Sequence, residues 1–230
     1  MPEPRTYPQI RFAAPPGATE ILLVRHGESQ PAVDGTAFDL LDGRGDPPLS
    51  EEGREQAQLV CGRLASYGVA AVYTSTLRRT HQTAAPLLDR LGLGSVSDPD
   101  LCEVFLGEWE GGIYRKKVTE RDPLALRMVE EERFDVIPGA EPAAAFAGRV
   151  RAALERIAAA HGDQRVAVFA HGGTIGQALA MATGSRPFAF IGADNASISH
   201  LVAWGDRWTL RRFNDTAHLE GAADLIQPNG

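Results

Sequence analysis

Lysine is nearly absent from this chain. Of its 23 basic residues only Lys116 and Lys117 are lysines, so arginine is the default cation and carries information only through its position. Basic residues as a class are outnumbered, 23 against 30 acidic, for a net charge of −7. That balance argues against a general nucleic-acid or membrane-surface binder and leaves any anion site to a local concentration of arginine. The two cysteines, Cys61 and Cys102, are isolated and form no CxxC, so neither a disulfide framework nor a cysteine zinc site is suggested and a reducing cytoplasm is expected. No apolar run of about 18 residues occurs, and the N-terminus has no signal-peptide core, so the chain reads as soluble and unexported. Three hydrolase patterns also fail. There is no G-x-x-x-x-G-K-[ST], the G-x-S-x-G begun by Gly27-Glu28-Ser29 ends on Pro31, and the H-x-E of His26-Gly27-Glu28 has no P-C-x-x-C partner.

What is present is a rhythm of apolar runs that stop on charged residues. With 230 residues, 43% of them hydrophobic, the chain suits one large domain with a substantial core. A proline-rich arm, 1–19, precedes a strand at 20–24. Its Leu22-Leu23-Val24 hands over to Arg25-His26-Gly27-Glu28-Ser29, and a strand that ends in a polar turn places those residues at the carboxyl edge of a sheet, where open α/β folds bind ligands. A Gly-, Asp- and Pro-rich loop follows at 30–48. Ser50 reads as an N-cap, with Glu51 and Glu52 in the first helical turn, and Gly68 stops that helix.

A second strand at 69–73 runs into Thr74-Ser75-Thr76-Leu77-Arg78-Arg79-Thr80, and a helix spans 77–92. A third strand at 96–101 is expected to deliver Glu103 to a strand end. Residues 113–137 read as a charged helical excursion broken at Pro123, part of a lid-like insertion over 104–140. A long helix at 141–160 precedes an apolar strand at 165–170 that stops on His171-Gly172-Gly173-Thr174, followed by a helix at 174–183. A hairpin, 197–204 and 208–213, closes around Gly205-Asp206, and 214–230 reads as a loosely held polar tail. The rhythm predicts a three-layer α/β/α sandwich with a single catalytic domain over 20–213.

The four expected strand ends bring Arg25-His26-Gly27, Ser75 with Arg79, Glu103 and His171-Gly172-Gly173 to one crevice. Arginine offers a planar fork suited to phosphate oxygens, and histidine is a nucleophile or proton carrier near neutral pH. Two histidines and two arginines around one anion provide a nucleophile, a charge clamp on the equatorial oxygens, and a partner that strengthens as a phosphoryl group flattens. The other histidines have ordinary explanations. His161 sits at a helix C-terminus, His200 in a strand and His218 in the tail, while the role of His81, within Thr80-His81-Gln82, is left open.

These spaced motifs resemble the histidine phosphatase superfamily, which includes phosphoglycerate mutases and many phosphatases. The resemblance is carried by Leu23-Val24-Arg25-His26-Gly27-Glu28-Ser29, Asp46 with Pro48-Leu49-Ser50-Glu51-Glu52-Gly53 and Gln56-Ala57, Ser75-Thr76-Leu77-Arg78-Arg79-Thr80 with Gln82-Thr83-Ala84, Leu101, Glu103, Gly107, Glu110-Gly111, Pro138-Gly139 with Glu141, and Phe169-Ala170-His171-Gly172-Gly173. It implies a mostly parallel sheet flanked by helices, phosphorylation of His26, a pocket completed by Arg25, Arg79 and His171, Glu103 as proton donor, and no metal or organic cofactor. Gly172, Ser75 and Asn195 join the expected substrate-binding set.

The reaction so implied is that of a histidine acid phosphatase-type phosphomonoesterase acting on a small phosphorylated molecule. A phosphoglycerate mutase is the alternative, disfavoured by Gly107-Glu108-Trp109-Glu110-Gly111, which resembles the phosphatase branch. A catalytically silent phospho-ligand binder is a third reading. Homo-oligomerisation is left open. One departure stands out: Ala32 occupies a place where many relatives carry an asparagine donor, and Asn195 is a candidate replacement. The run Arg115-Lys116-Lys117 reads either as a solvated face or as a contact for a second anionic group on the substrate.

Overall fold

An apolar run buried on both faces belongs at the centre of a parallel sheet, and in the computed structural model, which describes residues 5–220, two such runs lie side by side. The elements in chain order are β1 (Thr19–Arg25), a two-strand ribbon of β2 (Leu40–Leu41) and β3 (Arg44–Gly45), α1 (Glu51–Leu64), β4 (Val69–Thr74), α2 (Arg78–Leu91), β5 (Ser95–Ser97), α3 (Ile113–Thr119), α4 (Pro123–Glu130), α5 (Ala143–Ala160), β6 (Arg165–Ala170), α6 (Gly172–Thr183), β7 (Ile198–Trp204), β8 (Arg207–Asp215) and the single turn α7 (Ala217–Glu220). The main sheet has the order β5-β4-β6-β1-β7-β8. Its first four strands are parallel, β7 pairs antiparallel with β1, and β8 pairs antiparallel with β7.

Alternation along the central strands divides the core in two. Ile21 and Leu23 of β1 pack with Val166 and Val168 of β6 against α5 and α6, while Leu22 and Val24 pack with Ala167 and Phe169 against α1 and α2. Helices therefore cover both faces of a mostly parallel sheet, as the rhythm of the sequence predicts. A third, smaller core of Trp109, Ala125, Met128, Val136 and Ile137 holds the excursion between β5 and α5 together.

Local chemistry fixes the helix starts near the sheet edge. The Ser50 hydroxyl accepts from Gly53 N at 3.0 Å, as an N-cap should. Helix α2 has no such cap of its own, because Leu77 occupies the position. Asp46 supplies it from a distance, accepting from Arg78 N at 2.8 Å and from Arg78 Nε at 2.9 Å, so this motif aspartate anchors a helix.

Several boundaries differ from expectation. The loop at 30–48 contains the β2–β3 ribbon. The third strand ends at Ser97 because Pro99 starts a 3-10 turn, Pro99–Leu101, capped by Asp98; Glu103 thus follows a tight turn and is not at a strand end. Pro123 begins α4 behind the Asp122 cap, since proline fits a first helical turn, where its missing N–H costs nothing. Helix α5 begins at Ala143, and α6 begins at Gly172, two residues before the expected start. Residues 214–215 belong to β8 and 217–220 to α7, whose Leu219 packs on the α1/α2 side of the core. The remainder of the expected tail, 221–230, and residues 1–4 of the arm lie outside the described residues. Among the described residues no helix is long and apolar enough to cross a membrane.

Candidate active site

Strands β4, β6 and β1 are neighbours, so the turns leaving them converge. Arg25 is paired with Ala170, His26 N donates to Ala170 O at 3.0 Å, and Ser75 N donates to Phe169 O at 3.2 Å. Above these turns lies a cavity of about 470 Å³, whose wall includes Arg25, His26, Arg79, Glu103, Gly172 and Asn195.

His26 is almost wholly buried. Its Nδ1 lies 2.7 Å from Gly27 O, and since a carbonyl only accepts, Nδ1 carries the proton and Nε2 keeps its lone pair. Burial, reinforced by the charges of Arg79 and Arg25, holds its pKa well below the ordinary histidine value, so the ring is neutral near pH 7. The turn that presents it is tied down by residues from two helices. Gly27 N donates to Thr83 Oγ1 at 3.0 Å, and Glu28 N donates to Gln56 Oε1 at 2.8 Å. A Cβ on Gly53 would collide with Glu28 O, and one on Gly27 with Gly53 O; glycine at both places lets α1 approach the turn.

Arg79 enters from the first turn of α2 and donates to Gly45 O at 2.9 Å. Burial lowers its pKa to about 10, leaving it charged. Arg25 donates through Nη1 to Ala193 O at 2.6 Å, while its buried Nε has no partner within the protein. His171 is fully buried behind the cavity wall, its ring 5.2 Å from that of His26. Its Nε2 meets Ser75 Oγ at 2.8 Å and its Nδ1 is unpartnered. Burial and the positive charge of Arg79 keep it neutral as well.

Glu103 is held by backbone donors. Its Oε2 accepts from Gly173 N near the start of α6 at 2.9 Å, and Oε1 accepts from Val104 N at 2.9 Å. Its carbonyl accepts from Arg149 Nη2 at 2.9 Å and from Arg44 Nε at 3.2 Å. Arg149 in turn is clamped by Glu141 at 2.7 and 2.8 Å, which gives the motif glutamate a positioning task.

The structure brings Arg25, His26, Arg79, Glu103, Gly172 and Asn195 to the cavity and places His171 against His26. Ser75 is not on the wall: the chain turns inward after β4, and its hydroxyl is engaged by Thr80 and His171. It hydrogen-bonds His171, which is likewise absent from the wall. Asn195 already gives Nδ2 to His26 O at 2.9 Å, which leaves it one further N–H. His81 faces Thr74, His161 bridges Tyr73 and Gln164, His200 meets Glu20 and His218 meets Ala196 O; none lines the cavity.

Two further arginines, Arg44 and Arg115, lie on the wall. Arg44 had no signal beyond lying in a glycine-rich loop. Arg115 was visible only as part of a basic run, which the structure splits. Lys116 pairs with Asp34 at 2.8 Å and Lys117 with Asp122 at 2.7 Å, both away from the cavity, while Arg115 turns into it. Aromatic and aliphatic side chains, Phe38, Leu106, Trp109, Tyr114 and Phe134, make the rest of the wall. Burial and the nearby Glu103 charge push the Tyr114 hydroxyl up to about 12, so it stays protonated. Among the described residues no group of three or more His, Cys, Asp or Glu is placed to hold a metal ion.

Comparison with known proteins agrees with this geometry. The family model described as histidine phosphatase superfamily (branch 1) matches residues 21–216, a span that continues past the last sequence motif through β8. A probable phosphoglycerate mutase of Yersinia enterocolitica is 32% identical over 216 residues, 90% of this chain and 99% of its own length. Phosphoserine phosphatase 1 of Hydrogenobacter thermophilus is 30% identical over 203 residues, 87% of this chain and 94% of its own. The crystal structure of a putative alpha-ribazole-5'-P phosphatase from Escherichia coli is similar with a TM-score of 0.70 and 27% identity, covering 86% of this chain and 96% of that one.

Proposed function

The chain belongs to the histidine phosphatase superfamily, and from that premise we propose that it hydrolyses small phosphate monoesters in two in-line steps through phosphorylated His26. Nε2 of the neutral ring attacks phosphorus as the ester P–O bond breaks, and Glu103 in its acid form gives its proton to the leaving oxygen. Water then attacks the phosphorus, surrendering a proton to the Glu103 carboxylate as the N–P bond breaks. Inorganic phosphate leaves, and both side chains return to their starting forms. The Nδ1–H···O=C bond to Gly27 supports the positive charge that the ring acquires when Nε2 is phosphorylated, and the arginines complement the oxygens between the attacking and leaving atoms.

The observation that carries this reading is the state of His26: neutral by burial, with its tautomer set by Gly27 O, in the same cavity as the Arg25 and Arg79 guanidinium groups and Glu103. The test is rapid-quench labelling with a 32P-labelled aryl phosphate. The wild-type protein should carry acid-labile, alkali-stable label and release inorganic phosphate in the presence of EDTA, and His26→Ala should do neither. Acid-stable label, or label surviving in the alanine variant, would overturn the assignment.

A second reading follows from the mutase relative. Phosphoryl transfer between the hydroxyls of phosphoglycerate, primed by a bisphosphate and without net release of phosphate, would identify a mutase in the same experiment. A silent binder would show neither label nor turnover.

A further inference from the structure

Three arginines on the cavity wall differ from the other largely covered arginines of the fold in what faces them. Arg44, Arg63, Arg149 and Arg165, each more than half covered, have a carboxylate within 4 Å. Among the described residues Arg25, Arg79 and Arg115 have none, although burial lowers the pKa of all three. Covered guanidinium groups that repel one another are costly unless an anion joins them. Arg115 works against the charge of Arg79, which Glu103 and Asp46 support more strongly, and Arg25 works against that of Arg115 more strongly than Glu28 supports it.

Arg115 is also fixed in place. Its Nη1 donates to Gln30 O and its Nη2 to Ser29 Oγ, both at 2.7 Å, and its guanidinium lies 5.2 Å over the Phe38 ring. These contacts use two of its five N–H donors. Both tethering residues follow directly on the His26 turn, so the group is anchored to the segment that carries the nucleophile and not to the outer, exposed part of α3. Its charge acts on His26 itself, adding to that of Arg79 and Arg25.

We propose that Arg115 is a third phosphoryl-binding guanidinium, supplied by α3, which completes with Arg25 and Arg79 a set of three cations around the three non-bridging oxygens of the transferred group. This rests on the function proposed above. It also reassigns the basic run: Arg115 meets the phosphoryl group common to every substrate, whereas Lys116 and Lys117, paired with Asp34 and Asp122, meet none of it.

The test uses probes that have no organic body. Affinity for inorganic phosphate and orthovanadate is measured by calorimetry, and kcat/KM for phenyl phosphate and for a phosphorylated carboxylic acid, in wild type, Arg115→Gln, Arg115→Lys and Lys116→Ala. Arg115→Gln should weaken phosphate and vanadate by about 10- to 100-fold, the range for losing a charged hydrogen bond. It should also lower kcat/KM for both esters by similar factors. Arg115→Lys should recover a large part of the loss, and Lys116→Ala should match wild type.

Unchanged phosphate affinity, with the loss confined to the carboxylate-bearing ester, would place Arg115 against the substrate body and overturn the proposal. Equal loss in Arg115→Lys and Arg115→Gln, or in Lys116→Ala, would reduce Arg115 to a structural or long-range role and overturn it too. The proposed function fails separately, if wild type binds phosphate in an Arg115-dependent way yet turns over no monoester.

Discussion

At Glu103 the general acid can be separated from the charge clamp by choice of leaving group. Protonation matters in proportion to the basicity of the departing oxygen, so Glu103→Gln should cost little with a nitrophenyl ester and on the order of 10²-fold or more with an alkyl phosphate. The glutamine oxygen can keep only one of the backbone contacts now made by the two carboxylate oxygens with Gly173 N and Val104 N, so circular dichroism should accompany the kinetics. Arg79→Ala removes charge stabilisation that every monoester uses, and it should slow both ester types by similar factors. Equal slowing of both esters by Glu103→Gln would mean that Glu103 holds the pocket and is not the proton donor.

Two glycines show how elements, and not single contacts, set the site. Gly53 lies inside α1, where alanine would ordinarily add up to about 1 kcal/mol of helix stability. Its Cβ would however strike the backbone carbonyl of Glu28, and backbone cannot swing aside, so steric strain decides the sign. Gly53→Ala should destabilise by about 1–3 kcal/mol or more, the usual overpacking range, and should displace the His26 turn. Gly173 sits in the first turn of α6, and a Cβ there would meet the Glu103 carboxylate, the movable end of a side chain. Gly173→Ala should therefore leave the thermal midpoint nearly unchanged while reducing alkyl phosphate hydrolysis towards the Glu103→Gln level. Melting curves and the two-ester assay check both halves; a large fall in melting temperature for Gly173→Ala would contradict this account.

For the molecule as a whole, the same burial that makes His26 a nucleophile makes the fold sensitive to acid. His26 and His171 bind protons in the folded state only well below the ordinary histidine value. Between about pH 6.5 and those lowered values the unfolded chain holds more protons than the folded one, so stability rises with pH there. The contribution is fully present above about pH 6.5 and is lost as pH falls, at up to about 1.4 kcal/mol per pH unit for each histidine. Half-buried His200 and His218, also lowered, act in the same direction. Urea midpoints measured from pH 7.5 to 5.5 should fall on the acid side, and His171→Asn should flatten that dependence; an unaltered slope would show that His171 titrates normally in the folded protein.

Residue order by itself determined the architecture and most of the site. Apolar runs that stop on Arg25-His26-Gly27 and His171-Gly172 mark parallel strands ending at one edge, because a strand buried on both faces must be apolar and its polar residues begin where burial ends. Ser50 and Gly92 mark helix ends through chemistry confined to a few neighbouring residues. Tertiary structure alone decided where side chains go once the strand has ended. Arg115 and Lys116 are adjacent and alike in charge, yet one is drawn to Ser29 and Gln30 O and the other to Asp34, partners more than 80 residues away. Ser75 faces His171 behind the cavity, Asp46 caps a helix it does not belong to, and Glu103 arrives from a 3-10 turn and is seated on α6. Each of these directions is set by a hydrogen bond or ion pair to a remote segment, and periodicity along the chain carries no information about such a partner.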